Sequence, residues 1–324
     1  MSPQEGREWS VEHEVRSPVA QYLYTCGTEY HEGLKDGRRD VKSTTDEQTG
    51  QRAAEAPEKG AAEDLNKIHR VIAVMSGKGG VGKSLVSGLL AVTLCQEGHR
   101  VGILDADITG PSIPKMFLPD GARLGMSPLR PTPPQTKGGI KVMSINLLVE
   151  QEDMAVIWRG PLVSRAIKQF WGDIFWGELD YLIVDLPPGT SDASLTVMQS
   201  LRMSGILLVT SPQGLAGMVV RKAAHMAQKM QTPILGLIEN MSYFECPDTG
   251  RRYELFGPSH GEETAQSLNV PFLGRLAIDP TIAKLCDAGR LEEYSAPNFV
   301  PIAQKLAERT PEAQPSSFMP RHAS

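Results

Sequence analysis

A chain of 324 residues, 40% hydrophobic and 22% charged, can bury a sizeable core in one large or two ordinary domains. No apolar run reaches the roughly 18 residues that cross a bilayer, and a formal charge of −5 gives no basic footprint for non-specific nucleic-acid binding. The acidic N-terminus MSPQEGREWSVEHEV is unlike a secretory signal, and Cys26, Cys95, Cys246 and Cys286 are too scattered for a disulfide framework or zinc knuckle, so we expect a cytoplasmic protein with reduced thiols and no membrane or nucleic-acid partner.

The charge is unevenly placed. Fourteen acidic and eight basic residues give 1–66 a charge of −6, which leaves +1 for the remainder. That segment lacks sustained apolar periodicity and cannot offset its chain entropy by burial, so the sequence predicts an acidic, disordered extension over 1–66. A folded domain is expected over 67–310, with a Pro- and Ser-rich flexible tail over 311–324. Within 67–310 the strand candidates are VIAVMS, RVGILD, KVMSI, YLIVDL, GILLVT, PILGLIEN and PFLGRL. Helical patterns lie at 84–97, 161–171, 192–203, 215–230, 260–268, 279–288 and 299–309. Most of the strands are continuously apolar, the pattern of strands buried on both faces. The alternation predicts an α/β fold: a doubly wound, mostly parallel sheet flanked by helices, with ligands at the carboxyl ends of the strands.

The first such strand end reads MSGKGGVGKS. Gly77, Gly82, Lys83 and Ser84 fit G-x-x-x-x-G-K-[ST], the phosphate-cradling loop, between a strand and a helix as that motif requires. Its glycines let successive backbone N–H groups of Gly77, Lys78, Gly79, Gly80, Val81 and Gly82 converge on phosphate oxygens. Lys83 would reach the β and γ phosphates, Ser84 would hold Mg²⁺, and the helix N-terminus adds its positive dipole end.

Two acidic strand ends complete the constellation. VGILDADITGPS carries Asp105 and Asp107, where a carboxylate can orient attacking water. YLIVDLPPGTSD ends on Asp185, suited to hold the magnesium shell through a water, followed by Gly189, whose N–H could meet the γ phosphate. Loss of that phosphate would release the loop, which is a switch. Asn240, in LIENMSYF, closes a later strand on the same side of the sheet.

The loop KGGVGKS, with its second lysine Lys78, resembles the deviant phosphate loop of the family that includes MinD and ParA, the nitrogenase iron protein and the Mrp-type iron-sulfur carriers. The blocks DADITGPSIPKM, WRGPLVSRAIKQF, DYLIVDLPPGTSD, GLIENMSYFECPDTGRRYELFG and PFLGRLAIDP narrow the resemblance, over about 68–310, to the Mrp/ApbC-type ATPases. The resemblance implies a slow, Mg²⁺-dependent ATP hydrolase working as a homodimer in iron-sulfur cluster assembly, with client or donor proteins as partners. It implies that Lys78 reaches across the dimer to the partner's nucleotide, that Lys78, Lys83 and Asp107 serve catalysis, that Asp105 is supporting structure, and that Asn240 bonds the adenine edge. ATP over GTP rests on the same resemblance.

The family holds a bridging cluster through a C-x-x-C pair after ENMSYF. Here Cys246 matches the first cysteine and Thr249 takes the place of the second. Clusters favour thiolate ligands, usually four, so a symmetric dimer supplies two from this site. Labile binding by two thiolates, completion by a partner or small thiol, and a lost cluster site all stay open. Cys95 and Cys286 read as structural, and the histidines show no ligand spacing. Two rival functions are a MinD/ParA-like positioning ATPase and a nucleotide-binding regulator without a cluster.

Overall fold

The computed structural model describes residues 66–107, 110–128, 130–144, 147, 167 and 170–312, with 214–218 as backbone only. The expectations for 1–65 and 313–324, Cys26 included, lie outside the described residues.

Ten strands and seven α-helices are assigned there. They are β1 (Lys67–Ser76), α1 (Lys83–Gln96), β2 (Val101–Asp105), α2 (Ile113–Phe117), β3 (Gly125–Met126), β4 (Pro131–Thr132) and β5 (Lys141–Met143). Next come β6 (Glu178–Asp185), α3 (Asp192–Ser200), β7 (Gly205–Thr210), α4 (Gly214–Lys229) and β8 (Ile234–Glu245). The chain continues through β9 (Arg252–Tyr253), α5 (Gly261–Leu268), β10 (Phe272–Ile278), α6 (Pro280–Asp287) and α7 (Val300–Arg309). Of the helix expected over 161–171, residues 167, 170 and 171 are described, and they are helical.

The main sheet runs β10–β8–β7–β1–β6–β2–β5, with every pairing along that path parallel, and β9 adds one antiparallel pairing to β8. The expected mostly parallel sheet is therefore what forms. Its central strands are buried along nearly their whole length, from Val71 to Met75, Leu182 to Val184 and Ile206 to Val209. That is why they read as unbroken apolar runs: helices cover both faces. α4 packs on β7 and β1 and also meets α5, while α1 packs on β1, β2 and β6 and meets α2 and α7.

α1 is apolar almost all round, and its residues from Val86 to Leu94 are buried, as expected of a helix enclosed by other elements. Gly88 makes that enclosure possible: a Cβ there would stand 2.6 Å from Leu291 Cδ2. Trp176, wholly buried, donates its Nε1–H to the Phe170 carbonyl at 2.9 Å, so the largest core side chain leaves no polar atom unmet. No helix among the described residues is long and apolar enough to cross a membrane.

Leu207 lies at the middle of β7 between β1 and β8, with no exposed surface. Leu207→Ala is expected to lower unfolding stability by about 2–5 kcal/mol, the cost of lost burial plus the cavity left behind. Urea denaturation of both proteins checks this, and a change under about 1 kcal/mol would contradict the packing described.

Candidate nucleotide site

Strands β1, β2 and β6 are neighbours in the order β1–β6–β2, and their carboxyl ends deliver the phosphate loop, Asp105 and Asp185 to one edge. In the β2–β6 ladder Asp105 is the register partner of Asp185. Paired residues of adjacent parallel strands share a face of the sheet, so two carboxylates are forced close together in a buried place.

Asp185 has no exposed surface, and three side chains of α1 meet it. Lys83 Nζ lies 2.7 Å from Oδ2, Ser84 Oγ donates to Oδ2 at 2.6 Å, and Ser87 Oγ donates to Oδ1 at 2.6 Å. Lys83 itself is only 6% exposed. A buried carboxylate is tolerable only with such partners, since an isolated buried charge is very costly. Ser87 was not singled out from the sequence. The signal was present, because four residues after Lys83 is one helical turn and puts both side chains on the same face.

Asp105 solves its burial differently. Its carboxylate accepts from the backbone N–H groups of Asp107 at 3.1 Å, Ser112 at 2.9 Å and Ile113 at 3.0 Å. It therefore ties down the turn after β2 and the start of α2, the supporting role expected of it. Burial first, and the charge of Asp185 second, push its carboxyl up to about 7, against the opposing pull of Ile113 N–H, Lys83 and Asp107 N–H.

The loop is built by backbone geometry. Gly80 and Gly82 have φ of +80° and +78°, angles that side-chain-bearing residues rarely adopt. At Gly77 a Cβ would lie 2.4 Å from the Val219 carbonyl carbon of α4, so the loop's first residue presses directly on that helix. No side chain caps the N-terminus of α1, and its first turn carries no acidic residue. Its leading N–H groups and positive dipole end remain for an anionic ligand.

Other expected residues have partners within the chain. Lys78 Nζ donates to Gln213 Oε1 at 2.6 Å, just before α4. Asn240 Nδ2 donates to the Val81 carbonyl at 3.0 Å, from beneath the loop. The Gly189 N–H donates to the Ser76 carbonyl at 3.0 Å. Val81 is buried, and a Cβ on Gly79 would lie 3.9 Å from the Pro188 Cβ.

A cavity of about 270 Å³ lies beside α1, with Leu85, Leu89, Asn240, Tyr243, Pro280 and Pro297 among its walls. A larger one of about 410 Å³ runs among Thr210, Gln213, Arg221, Glu239, His260 and Thr264. Both adjoin the phosphate loop, the smaller through Asn240, which bonds the Val81 carbonyl, and the larger through Gln213, which bonds Lys78.

Cys246 and Thr249 stand in the turn between β8 and β9. There the Cys246 thiol is held below its ordinary value, chiefly by the Thr249 hydroxyl and then by the backbone N–H groups of Thr249 and Asp248. Cys95 and Cys286 pack partly buried against the core, and burial raises both thiols. Among the described residues no group of three or more His, Cys, Asp or Glu is placed to hold a metal ion.

A family model described as ParA, NUBPL iron-transfer P-loop NTPase, matches residues 67–310. The iron-sulfur cluster carrier protein of Clostridium perfringens is 44% identical over 242 residues, which is 72% of this chain and 85% of that protein. The cytosolic Fe-S cluster assembly factor CFD1 of Kluyveromyces lactis is 44% identical over 244 residues, 72% of this chain and 86% of its own length. A nucleotide-binding protein of Archaeoglobus fulgidus, solved in complex with ADP, shares 45% identity and a TM-score of 0.65 over 74% of this chain and 93% of that one. The cell-division ATPase MinD of Pyrococcus furiosus, at 21% identity and a TM-score of 0.51 over 74% of this chain and 98% of its own, shares the fold.

Two outcomes follow from the buried carboxylates. Ser87→Ala is expected to cost about 1.5–3 kcal/mol of stability, the worth of a hydrogen bond to a charged group, read by chemical denaturation. Asp105 has an ordinary value of 3.8 and a folded value near 7. Between these the folded state keeps a proton that the unfolded state has released, so stability falls as pH rises from about 4 to about 7. Without nucleotide and with chelator, the unfolding midpoint should be higher at pH 5 than at pH 8. Asp105→Asn, which stays neutral throughout, should flatten that difference.

Proposed function

Because this chain belongs to the ParA/NUBPL family of iron-transfer P-loop NTPases, we propose that it is a slow Mg²⁺-dependent ATPase that carries or assembles iron-sulfur clusters as a homodimer. The single observation that carries this reading is the convergence of Lys83, Ser84 and Ser87 on Asp185 at the foot of an uncapped glycine loop. An uncapped loop of backbone N–H groups beside an ammonium suits a ligand of high negative charge.

The donor set suits Mg²⁺. A hydroxyl and a carboxylate oxygen 2.6 Å apart are hard oxygen donors, and the Lys83 ammonium already lies on the carboxylate as a cation would. Ser84 would hold the ion directly and Asp185 through a water; when bound, the ion neutralises charge on the β and γ phosphate oxygens. On arrival of the triphosphate, Lys83 leaves Asp185 for the β and γ phosphates, and the N–H groups of residues 77–82 close on them. Asp107, two residues beyond Asp105, would orient the attacking water.

The Gly189 amide has two alternatives. It is bonded to the Ser76 carbonyl, and to meet a γ phosphate it must let go. Its positive φ and the preceding Pro187 and Pro188 confine the turn to a few conformations, which suits a segment that changes between two states. The cavity beside α1 would take the adenine, whose edge Asn240 can reach. Lys78, held by Gln213 in the single chain, would exchange that partner for the nucleotide of the second protomer. The cargo is the cluster. Cys246 from each protomer would offer one thiolate, and Thr249 a hydroxyl that supports the thiolate but replaces it poorly as a ligand. Completion therefore falls to a client, a donor or a small thiol. The names of the relatives in Clostridium and Kluyveromyces favour this reading over a positioning role.

Lys83→Ala should lower the rate of phosphate release by on the order of 100-fold, and equal rates for the two proteins would refute ATP turnover at this loop. Anaerobic reconstitution should give a charge-transfer absorbance in the wild type that Cys246→Ala lacks. An identical spectrum in both would remove Cys246 from the ligand set.

A further inference from the structure

Three non-glycine residues among those described have positive φ: Gln231, Met241 and Asn269. Gln231 and Asn269 follow the ends of α4 and α5, where left-handed conformations are ordinary. Met241, at φ 57°, lies inside β8. A left-handed residue with a long side chain inside a strand persists only where its surroundings enforce it.

The enforcement is visible on both sides. In the β8–β10 ladder Glu239 pairs with Arg275 and Tyr243 with Ala277, so β8 spends four residues where β10 spends two. The extra residues make a bulge at Asn240–Ser242. Ser242 Oγ lies 2.6 Å from Glu239 Oε2 and 3.0 Å from the Glu239 carbonyl, and the other oxygen of that buried carboxylate accepts from His260 N–H at 2.9 Å. The bulge is thus stapled at its base. At its crest it grips the phosphate loop: Asn240 Nδ2 bonds the Val81 carbonyl, and the Met241 methyl lies 3.3 Å from where a Cβ on Gly82 would be.

Beyond the bulge, β8 is held by pairing on both of its edges. β7 ends its pairing at Thr210 opposite Glu239, while Tyr243 and Phe244 pair with β10 and Phe244 and Glu245 pair with β9. Cys246 N–H then bonds the Arg251 carbonyl and closes the turn. At about 3.3 Å per residue, the five steps from Met241 to Cys246 form an arm of about 16 Å.

We propose that Met241 is a positioning residue: its left-handed bend is the pivot through which a movement of the phosphate loop turns the β8–β9 arm, together with the end of β10 paired to it, and so displaces Cys246. This rests on the reading that the loop binds ATP, and adds the physical element that connects nucleotide to cargo site. A freely flexible bend would let the loop move and leave the arm behind.

The test measures loop and arm separately in the full chain, reduced and free of metal cluster. Calorimetry gives the affinity for Mg²⁺ with an ATP analogue that cannot be hydrolysed. Mass spectrometry of the Cys246 peptide gives its rate of alkylation by iodoacetamide with and without that analogue. The wild type should show a change of about threefold or more at Cys246 on nucleotide binding. Met241→Gly, which frees the bend, should keep the affinity within about threefold and lose most of the response at Cys246. Ser242→Ala, which removes the staple, should weaken the response in the same direction and serves if the glycine variant does not fold. Met241→Asn, which tolerates the left-handed region, should retain it. Full response in Met241→Gly and Ser242→Ala overturns the proposal, as does a wild type that binds nucleotide with no change at Cys246; the second result leaves ATP binding intact. A wild type that binds no nucleotide overturns the underlying reading, and this inference with it.

Discussion

The carboxylate of Asp185 is where the chemistry and the fold of this chain constrain each other. It lies at the end of the strand that separates β1 from β2, without exposed surface. A charge in that position demands compensation, and α1 provides it with an ammonium and two hydroxyls from a single turn and the next. That requirement fixes the rotation of α1 about its axis and its height above the sheet. The glycine loop that precedes α1 then has its geometry set from both ends, by β1 on one side and the helix on the other. Asp105 shows the opposite solution to the same problem: with no cation of its own at hydrogen-bond distance, it takes three backbone donors and carries a raised affinity for its proton.

Lys78 and Gly189 each make a hydrogen bond within the chain that a nucleotide could replace with another of similar kind, while Asn240, with two amide hydrogens, can keep its bond to the Val81 carbonyl. Exchange of one satisfied bond for another costs little net free energy, whereas exposing an unsatisfied buried group costs several-fold more. A site arranged this way can alternate between two conformations of similar free energy, which is the condition for a switch. The loop also touches α4 through Gly77 and β8 through Asn240, so its movement is felt by elements on both sides.

Much of the fold was legible in the sequence, for identifiable reasons. α1 runs over 83–96 against an expected 84–97, and α5 to α7 match within about a residue, because a glycine, asparagine or proline marks each boundary. The strands were legible as continuous apolar runs between such marks. The five-residue α2 and the two-residue β3, β4 and β9 were not, since elements that short carry no periodicity to read. Within the site, the residues whose type dictates their chemistry were found: the glycines, Lys83, Ser84 and Asp185. Ser87 was overlooked because a serine inside a helix is common, although its spacing of one turn from Lys83 already put it on the same face. The contact of Lys78 with Gln213 and the left-handed Met241 had no signature at all. Both depend on long-range packing, and methionine carries no preference for such a bend.

The pairing of Asp105 with Asp185 across β2 and β6 also bears on how this chain can diverge. Alternation along a strand has a period of two, so inserting or deleting one residue in either strand would send its aspartate to the opposite layer of the molecule. Length changes are therefore prohibited within β2 and β6 ahead of their aspartates, and tolerable in connections that carry no part of the site. Descendants of this sequence inherit the spacing from strand start to acidic terminus as a fixed ruler.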